Sequence, residues 1–161
     1  MASDPDCIFC KIVAGAVPCF KLFEDADTLA FMDINPVHDG HCLVIPKAHY
    51  PTIFEIAPEA FAAASRTAIR VARAVNAAVN PEGINLMQAN GEGAGQSVGH
   101  FHLHIVPRRA DDGLLFNWEP KPGDMAHIAE IAERIRGFLW RRQPSTGAAS
   151  SITSWTASPP R

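Results

Sequence analysis

The sequence predicts one α+β domain built from five strands and three helices. Apolar residues recur every third or fourth position over 58–79 and 124–142, which is the period of an amphipathic helix. Five shorter apolar or alternating stretches end at turn residues, as strands do. These strands come as a group of three and a group of two rather than alternating with helices, which favours an α+β over a βαβ arrangement.

The first half of the chain opens with a short helix and an antiparallel meander. The helix is predicted over 7–14 and ends at Gly15, with Pro18 just beyond it. Strands are predicted over 20–24, 28–34 and 41–46, and the polar segment 25–27 forms the turn between the first two. The turn residues 35–40 connect the second strand to the third.

The second half is expected to contain a long helix, a strand pair and a C-terminal helix. Pro58 is a favourable first helical residue, and the segment 80–83 ends the long helix. Strands over 84–90 and 99–107 flank a glycine-rich loop. Asp124 is a candidate N-cap for the last helix. We therefore expect a domain over 1–142, followed by a flexible tail over 143–161 that is small, polar and proline-bearing.

Composition limits the function classes. The chain has 161 residues, 47% of them apolar and 19% charged, which is enough for one hydrophobic core. A net charge of −3 without a long basic run argues against binding long nucleic acid or an anionic membrane. No apolar run reaches the roughly 20 residues of a membrane span, and the start lacks the pattern of a signal peptide. We expect a cytoplasmic protein whose four cysteines form no disulfide framework.

Three histidines alternate with apolar residues in the segment 99–107. On an extended chain the imidazoles of His100, His102 and His104 point one way, and Phe101 and Leu103 point the other way. The preceding segment 90–99 has four glycines in ten residues. Such a loop lets backbone N–H groups approach an anion, so the pattern predicts a phosphate cradle beside a row of imidazoles.

Three interpretations of these histidines are open. Purely structural histidines would need partners for several buried polar groups, at a cost of about 1–3 kcal/mol for each group left without one. Alternate histidines on a strand can also converge on zinc or iron, although no carboxylate lies within the segment. Finally, neutral imidazole can attack phosphorus at neutral pH without a separate base, with neighbouring donors stabilising the developing charge.

Four ordered motifs resemble the histidine triad (HIT) superfamily, most closely its branch of Hint-like and Hit-like nucleotide hydrolases. They are the histidine segment with the loop 90–99 before it, Ala30 to Pro36, Gly40 to His49, and the opening Cys7 to Ile12. The resemblance covers about residues 7–109. It implies the HIT-like fold, with an antiparallel five-stranded sheet in each protomer, a long helix and a C-terminal helix.

The resemblance also assigns roles in phosphoryl chemistry. His102 would attack the α-phosphorus of a nucleotide and hold a nucleotidyl-histidine, while its other ring nitrogen is tied to a backbone carbonyl. His104, with His41 beside it, would donate to the nonbridging oxygens. The remaining contacts with the phosphate and the leaving group would come from Ser97, Asn90, Gly95, Gln96 and the N–H of Val98. No cofactor would be required for catalysis.

The nucleoside would bind beside the meander. Asp33 matches the family's acid that binds ribose, and a carboxylate that accepts from two vicinal hydroxyls selects a ribonucleotide. The slot for the base would be apolar, formed by Ile8, Phe9, Val17, Phe31, Ile34 and Leu43. Each of these residues could instead belong to the core.

A second constellation implied by the resemblance is a structural zinc site made by Cys7, Cys10, His49 and His100. Two thiolates and two imidazoles close a tetrahedral shell, which suits a structural rather than a catalytic metal. From spacing alone, the C-x-x-C is only half of a zinc site. His38 and His127 are expected at the surface, and Cys19 and Cys42 are expected to be small buried residues.

The leading hypothesis is a nucleotide hydrolase or transferase that acts on purine nucleoside 5′-phosphoramidates or dinucleoside polyphosphates. A nucleotide-binding regulatory or scaffold module with vestigial catalysis is the main alternative, and a metalloprotein that uses all three histidines is a weaker one. The resemblance implies a homodimer. Gly99 departs from the family pattern, which commonly has a large residue there, so the size of the substrate stays open.

Overall fold

The computed structural model describes residues 2–114 and 121–139 of the chain. The chain separates into two compact units, Met1–Leu115 and Phe116–Arg161. The elements of the first unit are α1 (Ile8–Val13), β1 (Lys21–Glu24), β2 (Thr28–Met32), β3 (Cys42–Pro46), α2 (Pro58–Val79), β4 (Gly83–Met87) and β5 (Leu103–Arg108). The described part of the second unit contains α3 (Met125–Leu139).

The strands form one antiparallel sheet in the order β1-β2-β3-β5-β4. This confirms the predicted α+β class and the five-stranded sheet. The first three strands form a meander, and β5 inserts between β3 and β4. Consequently β3 lies directly beside the histidine segment, with Leu43 opposite His104. That pairing brings His41, just before β3, to the triad.

Strand alternation gives the sheet two buried faces. On one face, residues of α2 pack against Ala30, Val44, Phe101, Leu103 and Ile105. On the other face, Cys7, Phe9 and Cys10 of the α1 region pack against residues of β2 and β3, namely Leu29, Phe31, Leu43 and Ile45. The predicted division of the histidine segment is confirmed, since its apolar residues face α2 and its imidazoles face α1.

The ends of α2 follow from local chemistry. Pro58 occupies the first turn, where its missing N–H costs no hydrogen bond. Asn80 ends the helix with φ +46°, the left-handed conformation common at a helix C-terminus. Gly40 packs close by, and a Cβ there would lie 3.0 Å from Pro107 and 3.3 Å from Val79. The glycine therefore lets the segment before β3 pass close to the end of α2.

The histidine strand is shorter than predicted. It begins at Leu103, whereas the segment 99–102 lies outside the sheet ladder. The Phe101 N–H donates to Tyr50 O at 2.6 Å instead of pairing with a neighbouring strand. His100 lies in a bend, and His100 and His102 are held by side-chain and loop contacts rather than by strand pairing. Similarly, β4 ends at Met87 rather than at residue 90.

In the second unit, Asp124 caps α3 as predicted. Its Oδ1 accepts from the N–H groups of Ala126 and His127, at 2.8 and 3.3 Å. The predicted last turn over 140–142 and the predicted tail over 143–161 lie outside the described residues, and the domain boundary at 142 stays a prediction. None of the described helices has the length and apolar character needed to cross a membrane.

Candidate active site

A cavity of about 260 Å³ lies on the sheet face that α1 covers. Eleven residues predicted from the sequence to take part in nucleotide binding or catalysis line it: Ile8, Phe9, Val17, Phe31, Asp33, Ile34, Leu43, Ser97, Val98, His102 and His104. Its walls are mainly apolar, and its polar side chains are few and convergent, which is the usual character of a small-molecule site.

His102 is held in one tautomer by the backbone. Its Nδ1 lies 2.6 Å from His100 O, and because a carbonyl can only accept, Nδ1 must donate. In the neutral ring, the lone pair then resides on Nε2. The sequence could not identify this carbonyl, and the structure places it two residues earlier in the same segment. The arrangement presents an imidazole nitrogen suited to nucleophilic attack.

His41 and His104 form a hydrogen-bonded pair with a defined polarity. The Val37 N–H donates to His41 Nδ1 at 3.2 Å, so the proton of the neutral His41 ring is on Nε2. That Nε2 lies 2.9 Å from His104 Nδ1, which accepts. His104 therefore carries its own proton on Nε2. A donor fixed in this way can bind a phosphate oxygen without reorganising.

Burial keeps the imidazoles of His41, His102 and His104 neutral. It lowers the pKa of His102 and of His41, whereas the Asp33 carboxylate acts in the opposite direction. Burial, reinforced by His102 and His41, lowers the pKa of His104 to about 4. All three rings are therefore uncharged at neutral pH. This is the protonation state that a histidine nucleophile requires.

Asp33 lies at the edge of the cavity, just after β2. Its Oδ1 accepts from the Asn35 N–H at 2.8 Å, and its Oδ2 lies 3.6 Å from His41 Nε2. Nearby, Ile34 is 77% exposed and Ile8 is 41% exposed although both line the cavity. These two side chains are rim residues, whereas Phe9, Phe31 and Leu43 form the buried wall.

Four backbone donors of the glycine loop are used within the loop. The N–H groups of Ala94, Gly95 and Gln96 donate to carbonyls within the loop, and the Gly91 N–H donates to Gln96 Oε1. Among the described residues, no hydrogen bond occupies the N–H of Val98, which lines the cavity. The Val98 N–H is therefore a donor that a phosphate in the cavity could use.

Asn90, Gly95 and Gln96 do not line the cavity described here. Asn90 Oδ1 accepts from the Ile53 N–H at 2.7 Å, and Gln96 Nε2 donates to Pro51 O and Val98 O. Both side chains thus brace the loop against the segment 51–53. Gly95 has φ +80°, which favours glycine, and is exposed. Their predicted contacts with the substrate stay predictions.

The second constellation is assembled as predicted. One ligand atom from each of Cys7, Cys10, His49 and His100 lies within 4.8 Å of the others. The Cys7 Sγ is 3.5 Å from His100 Nδ1, and the Cys10 Sγ is 3.4 Å from His49 Nδ1 and 3.7 Å from His100 Nδ1. In a tetrahedral zinc site, sulfur and nitrogen ligands are about 3.3 to 3.8 Å apart, so these residues fit the metal.

The surroundings of the cluster also suit a metal. His100 Nε2 donates to Pro46 O at 2.9 Å, which directs the lone pair of Nδ1 at the two thiols. His49 Nε2 lies 3.8 Å from the carboxylate of Asp4. Burial raises the pKa of the Cys7 thiol, so a thiolate there needs the positive charge of a bound cation.

The three histidines of the triad do not converge on one metal. His100 belongs to the cysteine cluster, whereas His104 forms a second group of possible ligands with Asp33 and His41. In that second group His41 Nε2 carries a proton and donates to His104, which leaves no lone pair there for a metal. The geometry favours a hydrogen-bonded chain over the metalloprotein alternative.

Several cavity residues were not predicted from the sequence. Ile12, Pro18, Cys19, Met32 and Asn35 also line the cavity. Ile12 has the helical spacing of a residue facing Ile8 and Phe9, so periodicity could have identified it. Met32 and Asn35 lie within the motif from Ala30 to Pro36 but were assigned no role, and Pro18 and Cys19 follow no motif.

The histidines and cysteines to which the sequence assigned no site differ in how far they are buried. His127 is exposed as predicted, and His38 is half-buried. Cys42 is buried as expected, and burial raises the pKa of its thiol to about 11. Cys19 is only half-buried, because it packs against the core residues on the α1 face and also lines the cavity. The prediction of a buried Cys19 was wrong for that reason.

Comparison with known proteins identifies the family. A HIT domain family model matches residues 14–111. The adenosine 5′-monophosphoramidase hnt1 of Schizosaccharomyces pombe is 42% identical over 130 residues, which are 80% of this chain and 95% of that protein. The adenylylsulfatase HINT3 of Arabidopsis thaliana is 44% identical over 68% of this chain, and the match spans 55% of its own length.

Solved structures agree with this assignment. A Streptococcus mutans protein has a TM-score of 0.82 at 39% identity, over 86% of this chain and 88% of its own. A zinc-bound histidine triad family protein of Mycobacterium smegmatis has a TM-score of 0.65 at 36% identity, over 80% of this chain and 97% of its own. The similarity therefore extends through the sheet and both of its faces.

Proposed function

This chain belongs to the HIT family, in its Hint/Hit-like branch, and we propose that it is a nucleotide hydrolase that works through a nucleotidyl-His102 intermediate. The proposed substrates are purine nucleoside 5′-phosphoramidates or dinucleoside polyphosphates. The observation that carries the proposal is the 2.6 Å hydrogen bond from His102 Nδ1 to His100 O, since it frees Nε2 for attack.

In the first step, His102 Nε2 attacks the α-phosphorus. The bond from phosphorus to the leaving nitrogen or oxygen breaks, and its electron pair goes to the leaving group, which takes up a proton from solvent. The His104 Nε2–H and the Val98 N–H donate to the nonbridging oxygens as negative charge develops. The hydrogen bond from His41 holds His104 in the tautomer that can donate.

In the second step, water attacks the same phosphorus and the bond to His102 Nε2 breaks. The electron pair returns to the imidazole, and the proton lost by water replaces the one that the leaving group took. The nucleoside monophosphate then leaves. During both steps Asp33 accepts from the ribose hydroxyls, and Phe9, Phe31 and Leu43 contact the base. The net reaction is hydrolysis without a catalytic metal.

The proposal includes a structural zinc held by Cys7, Cys10, His49 and His100. When bound, zinc would cross-link the residues before and within α1 to the histidine segment. The proposed zinc site is supported by the S···N distances of 3.4 to 3.7 Å and by the zinc-bound relative. Removing it is expected to loosen α1, which provides one wall of the cavity.

The proposal also includes a homodimer in the cytoplasm. The free edge strand β4 exposes Leu86 and Met87, at 56% and 45%, and such a strand can pair with a second copy. Sedimentation velocity of the purified chain checks the dimer, and a monomer at micromolar concentration would contradict it. Fractionation of the source cells tests the location.

A turnover panel tests the function. Adenosine 5′-phosphoramidate, diadenosine polyphosphates and their guanosine counterparts are incubated with the protein, and the protein is quenched during turnover for mass spectrometry. We expect product and a nucleotidyl adduct on His102 with at least one substrate class. Nucleotide binding without adduct or product would instead support the regulatory or scaffold module.

A further inference from the structure

A second cavity, of about 430 Å³, lies between β1 and the C-terminal half of α2. We call it the β1–α2 groove. Its walls come from Leu22 and Phe23 of β1 and from Val71, Val75 and Val79 of α2, with Arg70 at its margin. It forms because α2 packs mainly on β2, β3 and β5 and so leaves the side of β1 uncovered. The proposed function uses none of these residues.

The groove is apolar, and the charge at its margin is positive. Arg70 is the only charged residue among those that line it, and its guanidinium carbon lies 4.3 Å from the centre of the Phe23 ring. Arg66 and Arg73 follow at helical spacing on the same side of α2, and all three side chains are exposed. Within the described residues, no ion pair involves any of the three.

The backbone beside the groove is also available. β1 is an edge strand, and among the described strands only β2 pairs with it. An edge strand beside a helix can accept an extended peptide, which adds as a further strand and inserts alternate side chains between strand and helix. Leu22, 46% exposed, and Phe20, 72% exposed, extend the apolar surface along this edge.

We propose that the β1–α2 groove binds an extended acidic peptide segment of a partner protein. The peptide backbone pairs with the free edge of β1, its apolar side chains enter the groove, and its carboxylates face Arg66, Arg70 and Arg73. The three arginines span about 10 Å along α2, the length of about three extended residues. Because alternate side chains of a strand point to the same face, the apolar side chains and the carboxylates that face α2 share every second position of the peptide.

Charge complementarity favours an acidic peptide over the other possible occupants of the β1–α2 groove. A second copy of the chain would bring its own arginine row against this one, which disfavours self-association here. The chain's own segment 143–161 contains no acidic residue, so it lacks the complementary charge. Within the groove region Glu24 is already bound by Lys21 and Lys47, at 2.5 and 2.6 Å. The arginines therefore remain for an external carboxylate.

A labelled peptide tests the proposal. The probe is a fluorescein-labelled ten-residue peptide with valine and glutamate in turn at its odd positions and serine at its even positions, and the control peptide has lysine in place of glutamate. We expect saturable binding of the acidic peptide in fluorescence polarisation, at least tenfold tighter than the lysine peptide, and weakening with added salt. Equal binding of both peptides would overturn the proposal.

Matched variants locate the site. Arg66→Glu/Arg73→Glu avoids the contact of Arg70 with Phe23 and is expected to weaken the acidic peptide at least tenfold. Arg134→Glu on α3 is the control with unchanged affinity. The peptide should also slow hydrogen exchange at the amides of residues 21–24. Undiminished binding by the double variant, or no protection of β1, would overturn the proposal.

Two further readouts separate the alternatives. Dodecanoate that competes with the peptide and binds more tightly, without protecting β1, would assign the groove to a fatty acid and contradict the peptide. Phosphoramidate turnover by the double variant should equal that of the unmodified chain. A failure of both proteins to turn over any substrate of the panel would overturn the proposed function and leave the peptide result standing.

Discussion

His100 and His102 lie two residues apart, are both fully buried and face the same side of the sheet, but they serve different sites. His100 donates from Nε2 to Pro46 O, so its Nδ1 lone pair faces two thiols. His102 donates from Nδ1 to His100 O, so its Nε2 is available to the substrate. The comparison teaches that the backbone acceptor bound to one ring nitrogen decides what the other nitrogen can do.

The largest effect is expected at His102. His102→Ala removes the proposed nucleophile and should lower kcat for adenosine phosphoramidate by about 10³-fold or more, while the affinity for nucleotide changes only a few-fold. Steady-state kinetics and equilibrium dialysis measure the two quantities. His38→Ala, at a half-buried residue that does not line the cavity, is the control. Turnover that survives His102→Ala would rule out covalent catalysis at this residue.

The next effect is expected at the metal cluster. Cys7→Ser should abolish zinc binding and lower the thermal midpoint by roughly 5–10 °C, because a structural metal contributes directly to folding free energy. Elemental analysis and calorimetry measure both. Cys19→Ser, outside the cluster, should keep its metal. An unmodified chain that purifies without metal and gains no stability from added zinc would contradict this prediction.

The pH dependence of kcat/KM should distinguish the buried histidines of the cavity from surface histidines. His104 is buried with its pKa lowered to about 4, and the pKa of His102 is also lowered. The neutral rings persist below pH 6.5, so kcat/KM should reach its plateau on the acid side of that value. An acid limb centred at or above pH 6.5 would contradict the neutral nucleophile.

The free energy of unfolding should also depend on the protonation of these buried histidines. An unfolded histidine titrates near 6.5 and the folded His104 only near 4, so the unfolded state binds more protons between these values. Stability is therefore full above pH 6.5 and falls as pH drops toward 4. Urea titrations at several pH values measure this loss. His104→Asn should reduce it, whereas His127→Asn, at an exposed residue, should not.

The smallest effect is expected at Phe9, which joins the two sites. Its ring centre lies 5.8 Å from that of His100 and 5.4 Å from that of His102, and Phe9 also lines the cavity. Phe9→Leu should raise KM a few-fold and destabilise the fold by about 1–2 kcal/mol. Phe20→Leu is the control, since Phe20 is 72% exposed. An unchanged KM would show that the base slot does not depend on this ring.

Most elements could be predicted because their signals are local. Pro58 and Asn80 delimit α2 by their own backbone preferences, and Asp124 caps α3 through its own side chain. The extent of the histidine strand could not be predicted, because a strand exists only where a neighbour pairs with it. Pairing with β3 begins at Leu103, so His100 and His102 precede the ladder.

The sequence predicted the side chains of the candidate site but not the hydrogen bonds that the loop beside it makes. Alternation correctly placed the histidines opposite Phe101, whereas the sequence did not show that four amides of the glycine loop bond within it. Asn90 and Gln96 were predicted to contact substrate, and the structure uses both side chains to brace the loop. Polar side chains in a loop bind whichever partner the fold brings near, which the sequence does not specify.

The sequence by itself determined the chemistry of the histidine segment: three imidazoles on one side, apolar residues on the other, and two cysteines in a C-x-x-C. The family resemblance predicted that the imidazoles divide between two sites, and only the tertiary structure shows which backbone groups bring this division about. That division depends on Pro46 O, on Val37 N–H and on the approach of Cys7 to a histidine 93 residues later. Backbone groups are the same in every residue, so their roles arise only when folding places them.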